Sequence, residues 1–582
     1  MTSPTDLANL ILNRARWVVT VIGVVWCVLA GRLMQLQWWQ VDQFADRAEQ
    51  QREFAEEVIA RPGDIVDRQG RLVATTVTMR SLYVVPSRIS KPWIVANSLA
   101  ECLDLPADSL FEKLGDRHRH FHWVKRRLTP VEVERVKDLN LPTGTWGFRD
   151  EYRREYPQGV VAAHVLGLRD IDGIGRGGIE AGLDHLLAGV KGKRKLARDS
   201  RGRVIEILDD LDSPPLPGQT VQLTLDLVVQ LFAERELDAL MAEWKPESCS
   251  AIVLNPKTGD VIAMATRPTF DPNHPELASP DAWKNRAIAD IYEPGSTFKP
   301  FVVSYGLDQH ILHKTDMFDC EQGEYRMGRR VLHDHHRYGT LSLTDVLVKS
   351  SNIGMAKVGE RLTNERLCAA ANLFGFGRKT GIELPGELPG ILRPLSQWTG
   401  YSTGSIPMGH ELATTPLQLI VAHAALANGG LLLRPRIVMP ASGDSTAAVN
   451  QISEPTVSPE VARWVVEVPM HEVITRGTGK RAQIPGYRVF GKTGTAQCIS
   501  PSGGYVHGKY ISSFVCGAPV EDPQLLVLVV VNQSSVGGET FGGKVAAPAA
   551  AKILKQSLVY LRISPDDHLL NSAARWQENS PE

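Results

Sequence analysis

In the stretch YEPGSTFKP, residues 292–300, Ser296 stands directly behind Pro294-Gly295, and Lys299 follows three places on. Pro-Gly stops whatever precedes it, and STFKPFVVSYGLDQ can start a helix behind it. Lys299, at i+3, then shares a helix face with Ser296. The helix terminus offers backbone N–H groups and a positive field to an anion that develops beside the serine. A serine hydroxyl is a weak nucleophile until a base takes its proton. A lysine serves as that base when burial or neighbouring cations lower its pKa. The pair has the chemistry of a nucleophile, Ser296, with Lys299 as its activator. A chain of this length holds roughly one or two Ser-x-x-Lys pairs by chance, so the pair alone decides nothing.

Two further patterns add weight. KSSNIG supplies Ser350, Ser351 and Asn352, a Ser-x-Asn, and GKTGTA supplies Lys492, Thr493, Gly494 and Thr495. Lys-Thr-Gly occurs three times, at 257–259, 379–381 and 492–494. The first lies between two apolar runs and the second before a Pro-Gly loop, and both read as turn chemistry. Only the third lies inside an apolar-alternating strand, with a hydroxyl residue behind the glycine. Lys492 and Gly494 then point one way, and Thr493 and Thr495 the other. Gly494, without a side chain, is expected to let a substrate backbone approach.

Other polar clusters have plainer readings. His333, His335 and His336, with Cys320 upstream, could bind a metal, with His333 and His335 on one strand face. A solvated loop explains them as well and is preferred, so no metal site and no cofactor is assigned. GIGRGGIEAG, residues 173–182, lacks the Gly-Lys-Ser/Thr ending of a phosphate loop and reads as structural.

These groups need elements to position them. The 582 residues suggest several domains. A net charge of −1 gives no global field toward nucleic acid. Seven cysteines without a CxxC make no disulfide framework. Trp17 to Trp39 is apolar apart from Arg32 and long enough to cross a bilayer. Arg14 and Arg16 before it favour a cytoplasmic tail at 1–16, with the rest outside the cytoplasm. Arg32 can snorkel outward or face a partner helix. Val28-Leu29-Ala30 could pass as a signal cleavage site, but the apolar run continues past Gly31. Residues 41–60 read as a polar stalk helix, and Asp67-Arg68-Gln69-Gly70 as a turn between strands. The Pro-rich stretch 211–226 marks a boundary between a region at 40–213 and one at 222–562. In the latter, 250–266 reads as a hairpin and most of 296–372 as helical. Strands at 487–498, 511–520 and 525–533 read as antiparallel, with a closing helix at 546–561. Strands at both ends with helices between them make an α+β domain. Residues 563–582 read as a polar, frayed tail.

Ser-x-x-Lys, Ser-x-Asn and Lys-Thr-Gly, in that order, are together the signature of penicillin-binding proteins and class A β-lactamases. Ser351 stands where the commonest pattern has Asp. The chain resembles class B penicillin-binding proteins nearly end to end. GRLMQLQ with the span is similar to their anchor, and RPGDIVDRQGRLVA and GGIEAGLDHLLAG to their non-catalytic pedestal. GTGKRAQIPGYRVFGKTG and GGKVAAPAAAKIL resemble the division branch most, with sporulation and elongation relatives close. The resemblance implies a peptidoglycan D,D-transpeptidase with an antiparallel sheet and helices on both faces. It implies Ser296 as nucleophile, Lys299 as base, Ser350 as proton relay and Asn352 as an orienting group. Lys492, Thr493, Gly494 and Thr495 would bind substrate, Lys492 as a cation near its carboxylate. The N–H groups of Ser296 and Thr495 would form the oxyanion hole. Implied partners are stem peptides, β-lactams, the membrane, a glycan polymerase and division proteins.

The alternatives fit less well. A β-lactamase needs a second base, and ELPGELPGILRP offers Glu387 but no Glu-x-x-x-Asn. A β-lactam sensor needs more membrane helices than the one candidate here. A scaffold with dead chemistry would not keep all three motifs. Some elongation-type relatives hold a metal near the His cluster, but Leu347 stands where they carry a cysteine.

Overall fold

The computed structural model describes residues 4–42, 44, 53–116, 121–198, 204–440, 453–499, 504–534 and 541–566. The N-terminal helix runs from Pro4 to Met34 and ends in a π-helical turn, Gln35–Trp39. Residues Ile11–Trp39 are apolar enough to cross a membrane, and their side chains are exposed apart from half-buried Gln35 and Leu36. Arg32 donates to Gln35 Oε1 at 2.7 Å, which holds its guanidinium toward the Trp38-Trp39 end.

Part of the expected stalk helix is a strand. Glu53–Val58 pairs antiparallel with Gly192–Arg198, while residues 45–52 lie outside the described residues. EFAEEV has a helix-compatible composition, but pairing with a strand about 140 places on overrides so short a preference. Within 40–213 the chain contributes to two compact units: 1–61, 79–151 and 189–217 to one, and 62–78 and 152–188 to the other, with 218–582.

In the first unit, helices Pro92–Leu103, Ala107–Gly115 and Pro130–Asp138 bury Leu99, Leu110, Leu114 and Val136 against Leu82, Val84 and Leu128. Thr129 and Glu132 close a capping box at the third helix: Glu132 N–H donates to Thr129 Oγ1 at 3.3 Å and Thr129 N–H to Glu132 Oε2 at 2.7 Å.

In the second unit, five antiparallel strands run in the order Val261–Arg267, Ser248–Leu254, Leu525–Asn532, Tyr505–Ala518, Phe490–Ile499. LLVLVVVN is apolar throughout because both faces are covered. Leu526, Leu528 and Val530 enter the core on one face. Leu525, Val527, Val529 and Val531 enter the core under helices Leu227–Trp244 and Gly542–Tyr560 on the other. The strand carrying Lys492-Thr493-Gly494 is an edge. Asp67 stabilises its expected turn by accepting from Gln69 and Arg71 N–H, both at 2.9 Å. Arg71 also reaches Asp226, the N-cap of Leu227–Trp244, at 2.9 Å. In the glycine-rich loop, a Cβ on Gly175 would lie 1.9 Å from Glu180 O, so close packing explains that glycine. Glu180 itself is buried between Arg154 and Arg169.

Helix is less extensive over 296–372 than the sequence suggests. Two antiparallel strand pairs interrupt it, Met317–Asp319 with Thr340–Ser342 and, between them in the chain, the hairpin Glu324–Met327 with Arg330–His333. Gly328 at φ +61 opens the two-residue loop of the second, where a type II′ turn requires glycine. At the C-terminus, Ile563–Asp566 is held by Tyr487 O–H on Ile563 O and Asp566 N–H on Gly486 O, both at 2.8 Å. The rest of the expected tail, 567–582, lies outside the described residues.

Candidate active site

Pro294-Gly295 sets the nucleophile's position. Gly295 has φ +57, and a Cβ there would lie 2.8 Å from Thr495 O. Only glycine gives both the left-handed turn and this approach to the edge strand. Ser296 follows in a 3₁₀ turn, Gly295–Phe298, and Lys299 opens helix Lys299–Asp308. Residues at i and i+3 eclipse in a 3₁₀ turn, so serine and lysine share a face as expected. Behind them, His423 accepts no charge: its Nε2–H donates to Thr297 O at 3.1 Å, and burial pushes its pKa down to about 3.

Ser296 is half-buried and Lys299 fully buried. Lys299 Nζ donates to Ser350 O at 2.7 Å, Asn352 Oδ1 at 2.9 Å and Ser351 O at 3.2 Å, and lies 3.3 Å from Ser350 Oγ. Among the described residues none of its hydrogen bonds goes to Ser296. Burial pushes its pKa down to about 7, against the opposing pull of the Asp334 carboxylate. Lys492 Nζ meets the same Ser350 Oγ from the strand side at 3.0 Å. Burial, and then the charge of Lys299, push the Lys492 pKa well down. Lys492 is therefore a buried amine turned onto Ser350.

Ser350 sits between helices Leu343–Val348 and Asn352–Leu373 at φ +60. A left-handed serine costs about 1–2 kcal/mol. The Lys299 bond to its carbonyl helps hold it there. Asn352 is oriented at both ends, since its Nδ2 donates to His333 O at 3.2 Å while its Oδ1 faces Lys299. Ser351 caps the following helix by accepting from Gly354 N–H at 2.9 Å.

Asp334 was missed in the sequence. Its Oδ2 accepts from Ser351 Oγ at 2.6 Å, and its Oδ1 accepts from Ile353 N–H at 3.1 Å and from Asn352 N–H. A carboxylate at a helix N-terminus is stabilised by the free N–H groups and the dipole. The His cluster thus delivers a backbone carbonyl (His333) and an acid (Asp334) to the Ser-x-Asn loop. Its other rings go elsewhere: His335 packs 5.1 Å from Phe541 and His336 6.1 Å from Tyr338. Cys320 Sγ lies 3.3 Å from Ser351 Oγ.

On the edge strand, Lys492 and Gly494 do share a face. A Cβ on Gly494 would meet Ser513 Oγ at 2.3 Å and Thr297 Cγ2 at 2.8 Å. Internal packing, rather than room for a substrate, therefore dictates this glycine. Thr493 Oγ1 pairs with Thr478 Oγ1 at 2.8 Å, and Thr495 Oγ1 accepts from Gly542 N–H at 3.2 Å. The other two triplets are turns. Lys257 is exposed and paired with Asp522 at 2.5 Å. Glu387 accepts from Thr380 N–H at 2.7 Å and Gly381 N–H at 3.1 Å, which closes the loop beside exposed Lys379.

A second missed cluster flanks the nucleophile. Glu293 is buried and accepts from His410 Nδ1 at 2.7 Å, Glu411 N–H at 2.9 Å and Tyr505 O–H at 3.1 Å. It ties the start of the Tyr505–Ala518 strand to the segment before Ser296.

Two family profiles match the chain: the penicillin-binding protein transpeptidase domain over residues 249–555 and the penicillin-binding protein dimerisation domain over 58–223. The probable peptidoglycan D,D-transpeptidase PenA of Neisseria meningitidis is 32% identical over 573 residues, 97% of this chain and 95% of the relative. The peptidoglycan D,D-transpeptidase FtsI of Escherichia coli is 31% identical over 94% of this chain and 92% of its own. Stage V sporulation protein D of Bacillus subtilis is 33% identical over 89% and 81%. Among solved structures, penicillin-binding protein 3 of Mycobacterium tuberculosis complexed with aztreonam superposes with a TM-score of 0.67 at 26% identity, over 88% of this chain and 99% of that one. With Lys299, one turn after Ser296, and Lys492, from the edge strand, both meeting Ser350, the chain belongs to the penicillin-binding protein transpeptidases, a family of serine acyltransferases.

Proposed function

We propose that this protein cross-links peptidoglycan stem peptides as a membrane-anchored D,D-transpeptidase in septal wall synthesis. The observation that carries the reading is the convergence of Lys299, one 3₁₀ turn after Ser296, and Lys492 on Ser350 Oγ. With its pKa near 7, Lys299 is neutral often enough to take the Ser296 proton. Ser296 Oγ attacks the carbonyl between two terminal D-alanines. The oxyanion is held by the N–H groups of Ser296 and Thr495, each donor worth about 2.7–4 kcal/mol. The C–N bond then breaks. With both lysines donating to it, Ser350 directs its own proton to the departing amine and is reprotonated from Lys299. D-Alanine leaves, and an amine of a second stem resolves the ester into a cross-link. A substrate carboxylate near Lys492, Thr493 and Thr495 favours the charged form of Lys492 when it arrives. β-Lactams acylate Ser296 as mimics of the D-Ala-D-Ala end.

The N-terminal apolar helix anchors the chain, with residues 40–562 outside the cytoplasm and a membrane glycan polymerase as partner. The FtsI and PenA likeness and the division-like segments around Lys492 and Gly542 support the septal role. The likeness to a sporulation protein supports a second reading, a sporulation-type transpeptidase. The Ser296 hydroxyl caps neither the 3₁₀ turn nor the helix behind it, so Ser296→Ala should change stability little. This variant should stay folded and membrane-bound yet lose labelling by fluorescent penicillin. Undiminished labelling defeats the assignment. A fluorescent fusion along the side wall rather than at midcell defeats the septal role.

A further inference from the structure

In the first unit, strand residues Leu82 and Val84 point into the helical core, so Tyr83 between them faces the other way. Tyr83 stacks on Phe121 with centroids 5.2 Å apart and planes 24° apart. Trp123, paired with Tyr83 in register, stands edge-on to both rings, 4.9 Å from Phe121 and 6.5 Å from Tyr83. Gly147 makes room for the stack, since a Cβ there would lie 2.6 Å from the Tyr83 hydroxyl. None of these three rings belongs to the buried core, and Phe121 is 39% exposed. Arg149, exposed, holds its guanidinium 5.1 Å from the Phe121 centroid and 5.8 Å from that of Tyr83. Beside the stack, Arg126 holds its guanidinium 5.8 Å from the Trp123 centroid and is paired with Glu151 at 2.6 Å, and Arg149 is the cation set over both stacked rings.

We propose that this platform binds the glycan strands of peptidoglycan, an inference that rests on the reading of the chain as a peptidoglycan enzyme. A pyranose ring presents a flat C–H face of about the size of one aromatic ring, and its hydroxyl edges stay wet. Tyr and Trp suit such a half-wet contact, with an apolar face and a polar tip. Every second sugar of the strand bears a lactyl group ending in a carboxylate or a peptide that carries carboxylates. Guanidinium groups bind carboxylates by paired hydrogen bonds. The Arg149 guanidinium over the rings complements the carboxylates of that polymer. The surface would keep the anchored enzyme on the strand whose stems it joins, because one tether raises the effective concentration of a second site.

The test uses full-length protein in detergent on beads carrying glycan strands stripped of stem peptides by an amidase. These strands hold no D-Ala-D-Ala substrate. Wild type should be retained, and Phe121→Ala with Arg149→Glu should bind at least fivefold more weakly while labelling normally with fluorescent penicillin. Phe121→Tyr, which keeps the flat ring, should bind like wild type. Ser296→Ala should be retained but unlabelled. No retention of wild type, or equal binding of the double variant, overturns the proposal. Equal retention on heparin beads, with the same loss in the variant, also overturns it by showing a general polyanion surface. Wild type retained on glycan but never labelled sinks the transpeptidase reading and leaves the platform standing.

Discussion

Lys299 is the group whose protonation should govern acylation, and its surroundings fix both the pH at which it acts and the direction in which that pH can be moved. Burial lowers its pKa to about 7, and Asp334 opposes the shift. The neutral fraction of a group with a pKa of about 7 rises from roughly 0.09 at pH 6 to roughly 0.91 at pH 8. The second-order rate of Ser296 acylation by a β-lactam should therefore rise about tenfold over that interval, with its midpoint near 7. Asp334→Asn removes the charge that favours the lysine ammonium while keeping an oxygen for the Asn352 and Ile353 N–H groups. The midpoint should then move to lower pH. Stopped-flow acylation between pH 5.5 and 9 measures both curves, with thermal melts showing that the variant is folded. A flat profile between pH 6 and 8 refutes Lys299 as the base, as does a midpoint near that of an ordinary lysine. A move to higher pH in Asp334→Asn refutes the electrostatic account.

Two further outcomes follow from burial. Lys492→Ala should slow acylation by one or more orders of magnitude, because it removes a buried partner of Ser350 in a site where losing a charge contact costs about 2–5 kcal/mol. Lys257→Ala and Lys379→Ala, on exposed turns, should leave the rate intact and change stability by less than about 0.5 kcal/mol, and acylation rates for all three decide it. His164 and His423 are buried, with pKa values lowered by burial to about 4 and about 3. The unfolded chain binds protons that the folded one refuses below pH 6.5, so stability present above that pH falls as pH drops, by roughly 2 kcal/mol per histidine at pH 5. Melts of His423→Gln should show a shallower acid limb than wild type.

The parts of the site that could be read from the sequence are those in which chemistry and position are local. Ser296 and Lys299 lie one turn apart behind a Pro-Gly stop, and Lys492 sits in a strand whose period assigns its face. The strands around it are apolar on both faces and announce themselves. Asp334 could not be read this way. It reaches Ser351 across 17 residues by way of a hairpin, and the surrounding histidines drew attention to metal chemistry instead. Glu293 stands three places before the nucleophile, but its partners His410 and Tyr505 come from 117 and 212 residues away. The role of Gly494 was misread for a related reason: the glycine is legible, but Ser513 and Thr297, which fill its missing side chain's place, are not neighbours in sequence. The strand Glu53–Val58 depends wholly on a partner far along the chain.

The site also carries a large local cost. A lysine with a pKa of about 7 when folded and 10.5 when unfolded destabilises the native state by about 4 kcal/mol at pH 7. The penalty is absent above the unfolded value, grows as pH falls, and is complete below about 7, where both states are protonated. Ser350, held left-handed, adds about 1–2 kcal/mol. These costs fall on the residues where Lys299 and Lys492 meet, and the surrounding structure sustains them: the two-faced core beneath the sheet, the cap that Ser351 and Asp334 place on the next helix, and the Asn352 amide fixed at both ends. Replacing Lys299 by methionine should remove the cost along with the chemistry. That variant should melt at higher temperature than wild type at pH 7 while refusing acylation. If it instead melts lower, the amine's bonds to Ser350, Ser351 and Asn352 contribute more than its burial costs, and the site is held by its polar network rather than tolerated by the core.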